Sequence, residues 1–199
     1  MTEFFVGLLL YLPLFAISVT CHEFSHAWVA DHLGDPTPRA AGRISLNPLR
    51  HLDLLGTLLI VVAHFGWAKP VPINPNNLTH PRLQMPLIAA AGPLANLALA
   101  LVGLEARRYC DPDALPYLML TILVWLNVML CVFNLIPLPP LDGSNALRSL
   151  LPGRLLYQYD RLAPLGIVAL FLAFSVPTVS DAFGRVITHV YQALAQLVA

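Results

Sequence analysis

The sequence predicts an all-α, multi-pass membrane protein, built as a bundle of four to six transmembrane or re-entrant helices. Hydrophobic residues make up 57% of its 199 residues and charged residues only 11%, whereas a soluble domain typically carries about 25% charged residues. The mean hydropathy is +0.70. Four uncharged runs are long enough, or nearly so, to cross a hydrocarbon core of about 30 Å at about 1.5 Å per helical residue. These runs are Phe4–Cys21, Met85–Leu104, Leu115–Leu141 and Leu162–Ser180.

Composition and length also limit the domain organisation and the function. We expect a single integral-membrane domain over residues 1–199, with a core over about 4–151 and C-terminal helices over about 160–199, because no charge run or Gly/Ser-rich linker divides the chain. The net charge is zero, so nothing indicates nucleic-acid binding. The three cysteines have no CxxC spacing, which predicts neither a disulfide nor a cysteine zinc cluster.

Two further segments have their own patterns. Leu54–Ala68 is uncharged but has only about 15 residues, which favours a re-entrant or interfacial segment over one that crosses the membrane. Asp181–Ala199 places its apolar residues at helical spacing and its polar residues elsewhere. This pattern predicts an amphipathic helix that either packs against the bundle or lies in the membrane interface.

The end of the first apolar run carries the motif His22-Glu23-Phe24-Ser25-His26, an HExxH sequence. On a helix the two histidines lie on one face and can bind one Zn²⁺ ion, while Glu23 is placed to act as a general base on a metal-bound water. The alternative is a chance match on a surface helix. Ionisable residues at membrane depth are costly to keep without a function, so we interpret the motif as a hydrolytic zinc site.

A catalytic zinc site needs a third protein ligand and an open fourth position. The candidate is Asp142, which follows the proline-rich stretch from Asn134 to Pro140. Prolines break a helix, and a broken helix at membrane depth is tolerated only where it is buried in protein or lines a wet cavity. Asp142 would lie at the lip of such a cavity. The alternative is that Asp142 only caps a helix that begins near Gly143.

Three motifs in this order resemble those of the site-2 protease family of intramembrane zinc metalloproteases. They are the HExxH motif, the run Ala91-Gly92-Pro93-Leu94-Ala95-Asn96, and the stretch from Asn134 to Gly143 that ends in Leu141-Asp142-Gly143. The resemblance implies regulated intramembrane proteolysis, with a transmembrane helix of another protein as the substrate and the lipid bilayer as the surroundings. It makes no prediction about the oligomeric state. We expect a minimal member of the family without a PDZ-like or nucleotide-sensing domain.

The resemblance also assigns roles to residues. His22, His26 and Asp142 would bind one zinc ion, and Glu23 would be the catalytic acid and base. Asn134 matches a family asparagine near the active site, where it would donate a hydrogen bond to the substrate backbone or the oxyanion. Gly92 and Asn96 lie four residues apart, a spacing that we interpret as helix packing with Asn96 bonding across the bundle.

Two segments between the first and second long runs are partly apolar and interrupted by prolines. Arg43–His51 and Gly66–Pro72 are predicted to form short strands or an extended loop at the cytoplasmic edge of the membrane, where an exposed edge could pair with an unwound substrate. The alternative is an interfacial loop anchored by Trp67 and Lys69. The histidines outside the HExxH motif have no ligand spacing; they include His32, His51, His64 and His80.

The distribution of basic residues predicts the orientation. Positive charges follow the HExxH run and the Asp142 stretch, whereas the loop after Leu104 mixes arginines with acidic residues. By the positive-inside rule the metal site lies near the cytoplasmic side of a prokaryotic cell membrane and the N-terminus is extracytoplasmic. The assignment is consistent only if Leu54–Ala68 does not cross the membrane.

Two other function classes remain open at this point. HExxH alone would also suit a non-proteolytic membrane hydrolase that acts on lipid or on a small amphiphile. A metal-binding membrane scaffold or transporter would need the ligands but would have no evident use for Glu23 as a base.

Overall fold

The structure is a computed structural model that describes residues 2–63 and 66–198. These residues form nine α-helices and three short 3-10 helices, and the connections on either side of α3 are longer than the others. The helices are α1 (Thr2–His32), α2 (Thr37–Ala40), α3 (Leu54–Ala63), α4 (Pro81–Arg107), α5 (Leu115–Asn134), α6 (Asp142–Leu150), α7 (Gly153–Leu162), α8 (Gly166–Phe174) and α9 (Pro177–Val198). The described chain is therefore mostly helical, which confirms the all-α prediction.

The apolar runs correspond to helices, although their boundaries differ. Phe4–Cys21 lies inside α1, and Met85–Leu104 lies inside α4. The run Leu115–Leu141 is helical only as far as Asn134, since the prolines that follow have no N–H to continue the helix. The last run, Leu162–Ser180, is divided between α8 and the beginning of α9.

The outer surface of the helices is suited to lipid. Within the described residues three helical segments are long and apolar enough to cross a membrane: α4, α5 and the combined segment Gly153–Phe174. Large apolar side chains point outward from them, among them Leu94 and Val102 on α4 and Phe171 on α8, which is 75% exposed. Contiguous exposed apolar faces of this kind mark a membrane or protein contact. Together with the composition, they indicate a membrane protein.

Helix α4 lies at the centre of the bundle, where it packs against α1, α5, α6 and α9. One core cluster joins α4, α5 and α9, with Val128, Ile187 and Leu194 among its buried members. Because Ile187 and Leu194 belong to α9, the amphipathic C-terminal segment packs against the bundle, one of the two placements that its sequence allowed.

The segment between α2 and α4 doubles back on itself. Leu52 and Ala68 form an isolated antiparallel bridge, and the N–H of Lys69 donates to the carbonyl of His51 at 2.8 Å. Both bridge residues pack against a cluster of α1 and α5 side chains that includes Leu14 and Val19. The two ends of the predicted re-entrant segment thus meet. The described residues of this region contain this bridge but no longer strand, so the predicted strands are not confirmed beyond it.

Candidate metal centre

Three potential ligand atoms converge in the interior of the bundle. His22 and His26 lie one turn apart on α1, and their Nε2 atoms are 3.0 Å from each other. Oδ2 of Asp142, from α6, lies 3.1 Å from Nε2 of His22 and 3.2 Å from Nε2 of His26. Both histidines are buried, with 7% and 5% of their surface exposed. The structure thus brings together the three side chains that were predicted to bind zinc.

The position of Asp142 distinguishes its role as a metal ligand from its role as a helix cap. Leu141 occupies the N-cap position of α6, and Asp142 is the first helical residue. Its Oδ2 atom is buried and accepts no hydrogen bond from the described residues. The carboxylate faces the two histidines, and the positive end of the α6 dipole favours its negative charge. The geometry therefore fits a metal ligand better than a helix cap.

Gly143 explains how α6 can begin so close to the end of α5. A Cβ atom at this position would lie 2.7 Å from the carbonyl oxygen of Ile136 and would also overlap the carbonyl of Leu135. Only glycine permits this approach. The glycine of the Leu141-Asp142-Gly143 motif therefore allows the first turn of α6 to pack against the turn after α5, which brings Asp142 to the histidines.

The second ring nitrogens of both histidines are engaged with acceptors on α4. Nδ1 of His26 donates to the carbonyl of Ile88 at 2.7 Å, and Nδ1 of His22 lies 2.6 Å from Oδ1 of Asn96. A neutral imidazole with its hydrogen on Nδ1 carries a lone pair on Nε2. Both Nε2 lone pairs are thus directed toward the carboxylate of Asp142.

This donor set fits a zinc ion. Two neutral imidazoles and one carboxylate place lone pairs around one point, an arrangement that is repulsive without a cation. Zn–N bonds of about 2.0–2.1 Å in a tetrahedral site separate ligand atoms by about 3.3 Å, close to the observed 3.0–3.2 Å. Three protein ligands also leave the fourth position that a catalytic zinc needs.

Space for the ion depends on Gly92 of α4. A Cβ atom on Gly92 would lie 2.6 Å from Nε2 of His22 and would overlap Nε2 of His26. Any larger residue would therefore fill the region toward which the two imidazoles point. The sequence suggested close helix packing at this position, and the structure adds that the close approach occurs at the histidine rings.

Glu23 and Asn134 are the other residues that were predicted to act in the site. Glu23 is partly buried on α1, between the two histidines in sequence, and its charge acts on Arg43. Asn134 is the last residue of α5, where its amide donates to the carbonyl of Leu130 at 3.0 Å. Among the described residues, the cluster of three potential ligands does not include His32, His51 or His80. His64 lies outside the described residues.

Sequence reasoning missed one residue near the centre and underestimated another. Asn96 bonds across the bundle as predicted, but its partners include His22 in addition to a neighbouring amide, Asn127 of α5. Asn127 is fully buried and was not singled out. The available signal was a carboxamide inside an apolar run, which is costly in a membrane unless it is hydrogen-bonded or functional.

Two histidines four residues apart on a helix, a carboxylate from a second helix and a glutamate beside them define the class of zinc-dependent hydrolytic sites. Comparisons with known proteins agree with this class. The model of Peptidase family M50 matches residues 114–175, a range that contains Asp142. A candidate zinc metalloprotease of Bacillus subtilis, YwhC, is 38% identical over 170 residues, which cover 81% of this chain and 78% of YwhC.

Two mycobacterial proteins named Rip2, both described as candidate zinc metalloproteases, are also similar. The Mycolicibacterium smegmatis protein is 35% identical over 72% of this chain and 58% of its own length. The Mycobacterium tuberculosis protein is 31% identical over 86% of this chain and 68% of its own length. No solved structure matches the chain. The chain belongs to peptidase family M50, the site-2 protease family.

Proposed function

We propose that this protein is an intramembrane zinc endopeptidase, which hydrolyses peptide bonds within transmembrane segments of membrane-tethered proteins in regulated intramembrane proteolysis. One observation carries the proposal: the buried cluster of His22, His26 and Asp142 lies inside a bundle whose outer faces are apolar. A hydrolytic site in that position would meet its substrate within the membrane. Membership of family M50 supports the same class of reaction.

Each of the named side chains has a distinct role in this proposal. His22, His26 and Asp142 would hold one zinc ion, which would supply Lewis-acid chemistry toward the scissile carbonyl and the attacking water. Glu23 takes the proton of the attacking water and later delivers it to the leaving amine. Asn134 donates a hydrogen bond to the substrate backbone or to the developing oxyanion.

A helical substrate must unwind locally before it can be cleaved, because its carbonyls are held in hydrogen bonds within the helix. We therefore expect substrates with helix-weakening residues near the cut. The bridge between Leu52 and Ala68 is a candidate place for the unwound segment, since both residues pack against the cluster that includes Leu14 and Val19 of α1. Val19 lies less than one helical turn before the HExxH motif. The backbone of the bridge would offer an edge to an extended chain.

The first test is cleavage of membrane-spanning reporter helices by purified wild-type protein and by Glu23→Gln. We expect Glu23→Gln to lower turnover by at least about 10²-fold, the usual contribution of a positioned general base. Its zinc content should remain that of the wild type, because Glu23 is not a ligand. Undiminished cleavage by Glu23→Gln would rule out the mechanism.

Asp142→Ala is the comparison variant in the same assay. It removes one of three ligands, so we expect both activity and bound zinc to be lost, which separates a metal ligand from a base. Hydrolysis of lipids or small amphiphiles, with the reporter helices left intact, would favour the non-proteolytic hydrolase. Stoichiometric zinc binding with no hydrolysis of either substrate would favour a scaffold or transporter.

A further inference from the structure

A chain of hydrogen bonds between buried side chains of three helices ends at His22. The side chain of Ser18 on α1 donates to the carbonyl of Leu14 at 2.8 Å, and Nδ2 of Asn127 on α5 donates to Oγ of Ser18, also at 2.8 Å. Nδ2 of Asn96 on α4 donates to Oδ1 of Asn127 at 2.7 Å, and Oδ1 of Asn96 lies 2.6 Å from Nδ1 of His22.

The direction of each hydrogen bond in this series is determined at the Ser18 end. A backbone carbonyl can only accept, so the Ser18 hydroxyl donates to Leu14 and can only accept from Asn127. Asn127 must therefore turn its NH₂ group toward Ser18 and its oxygen toward Asn96. A second bond agrees with this orientation, because Nδ2 of Asn127 also donates to the carbonyl of Leu123 at 2.8 Å.

The same logic continues to the histidine. Because Oδ1 of Asn127 accepts, the group of Asn96 that faces it must be its NH₂, which leaves Oδ1 of Asn96 facing His22. That oxygen needs a donor, so the hydrogen of the His22 ring is held on Nδ1 and the lone pair on Nε2, the atom that faces Asp142. Asn96 and Asn127 are both 0% exposed, so water does not compete for these bonds.

We infer that Asn96, oriented by Asn127 and Ser18, is a positioning residue that sets the tautomer and ring orientation of His22 for metal binding. The inference deepens the proposed function and rests on the zinc site, but not on proteolysis. Without an acceptor at position 96, Nδ1–H of His22 would be buried without a partner. The ring would then gain from rotating or from moving its hydrogen to Nε2, and either change removes the lone pair from the site.

The test compares two variants at position 96. Asn96→Leu removes the acceptor at similar volume, and Asn96→Asp keeps an oxygen for Nδ1–H of His22. We expect Asn96→Leu to weaken zinc binding by about 10- to 100-fold, the usual effect of losing a group that orients a metal-ligating histidine. Both variants lose the N–H that donates to Asn127, so the difference between them reports the acceptor alone, and Asn96→Asp should bind zinc more tightly than Asn96→Leu. Affinity is measured by competition with a chromophoric chelator, on detergent-solubilised full-length protein.

The visible spectrum of Co²⁺-loaded protein is the second readout, since it reports the ligands and their geometry. We expect the spectrum of Asn96→Asp to lie closer to that of the wild type than the spectrum of Asn96→Leu does. Thr121→Val is the matched control on α5, because it removes a hydroxyl that bonds to Tyr117 and Arg107 away from this chain. Asn127→Ala leaves Asn96 in place but lets the Asn96 amide turn, so it should lower zinc affinity by a smaller factor than Asn96→Leu. It replaces Asn96→Leu in the test if that variant does not fold.

Equal zinc affinity in folded Asn96→Leu and wild type would overturn the inference. Equal impairment of Asn96→Leu and Asn96→Asp would also overturn it, because packing rather than the acceptor would then be responsible. The proposed proteolysis can be disproved independently of this inference. A protein whose zinc affinity depends on Asn96 but which cleaves no reporter helix would keep the positioning role and lose the proposed activity.

Discussion

At the scale of the residue, the candidate metal centre depends on the absence of a side chain at Gly92 as well as on the three proposed ligands. Gly92 faces the two imidazoles, and a Cβ atom there would lie 2.6 Å from both Cε1 and Nε2 of His22. Real Cβ atoms do not approach other atoms so closely, and the histidines cannot yield freely, because their Nδ1 atoms are held by α4. The smallest residue is therefore needed at the point where α4 crosses the ligands.

We predict that Gly92→Ala lowers bound zinc well below one ion per chain and lowers proteolysis in parallel. Alanine is the better helix former by about 1 kcal/mol, so a loss could not come from helix propensity. The control is Gly184→Ala on α9, where a Cβ atom would have no neighbour within 4 Å. Metal analysis of both purified variants checks the prediction, and full zinc occupancy in Gly92→Ala would contradict it.

At the scale of the element, one arginine joins the two proline-interrupted segments, Arg43–His51 and Gly66–Pro72. Arg43 is 3% exposed, and its guanidinium donates to the carbonyls of Arg50, Lys69 and Pro70. Burial holds the pKa of Arg43 below its usual range, and the negative charge of Glu23 offsets part of this lowering. Irregular backbone near a membrane needs such donors, because its carbonyls have no partners within a helix or sheet.

We predict that Arg43→Lys destabilises this region, because a single ammonium group cannot reproduce the fork of a guanidinium across three carbonyls. A hydrogen bond to a charged group contributes about 1.5–3 kcal/mol, so the loss of one or two should lower the thermal unfolding midpoint measurably. Cleavage by added protease between residues 43 and 72 should accelerate, while zinc content stays unchanged.

Arg39→Lys is the control for that experiment. Arg39 is a mostly exposed partner of Asp31, and an exposed ion pair contributes about 0–1 kcal/mol. If Arg43→Lys and Arg39→Lys unfold at the same temperature and are cleaved at the same rate, the three carbonyl contacts of Arg43 do not stabilise the segment.

At the scale of the whole molecule, the chain path is consistent with the predicted orientation. The bridge between Leu52 and Ala68 returns the α3 segment to its starting point, as the positive-inside assignment requires. Helix α1 extends only six residues beyond His26, so the proposed zinc would lie about 9 Å from that helix end at about 1.5 Å per residue. Water and small solutes should reach the site from this end.

We predict that a membrane-impermeant chelator inhibits proteolysis in sealed inside-out vesicles and spares right-side-out vesicles. The reason is the proposed cytoplasmic position of the centre, near the end of α1 that carries the basic segments. A permeant chelator is the control and should inhibit in both orientations. The opposite sidedness would overturn the topology, even if the zinc chemistry is intact.

The sequence by itself determined the features that depend on local spacing. The apolar runs predicted the helices because a membrane span must satisfy its backbone hydrogen bonds within itself. The HExxH spacing placed the two proposed histidine ligands on one helix face because a helix repeats every 3.6 residues. The prolines after Asn134 predicted where α5 ends. Asp142 could be proposed from its motif, but its alternative role as a cap could be tested only against the position of its carboxylate.

Only the tertiary structure decided what meets across helices. Ser18 and Asn127 are 109 residues apart in the chain, and His22 and Asn96 are 74 apart, so no local pattern relates them. Gly92 and Arg43 act on groups of other segments in the same way. Such contacts depend on the register with which α1, α4 and α5 pack, and that register results from all the side chains at their interfaces together.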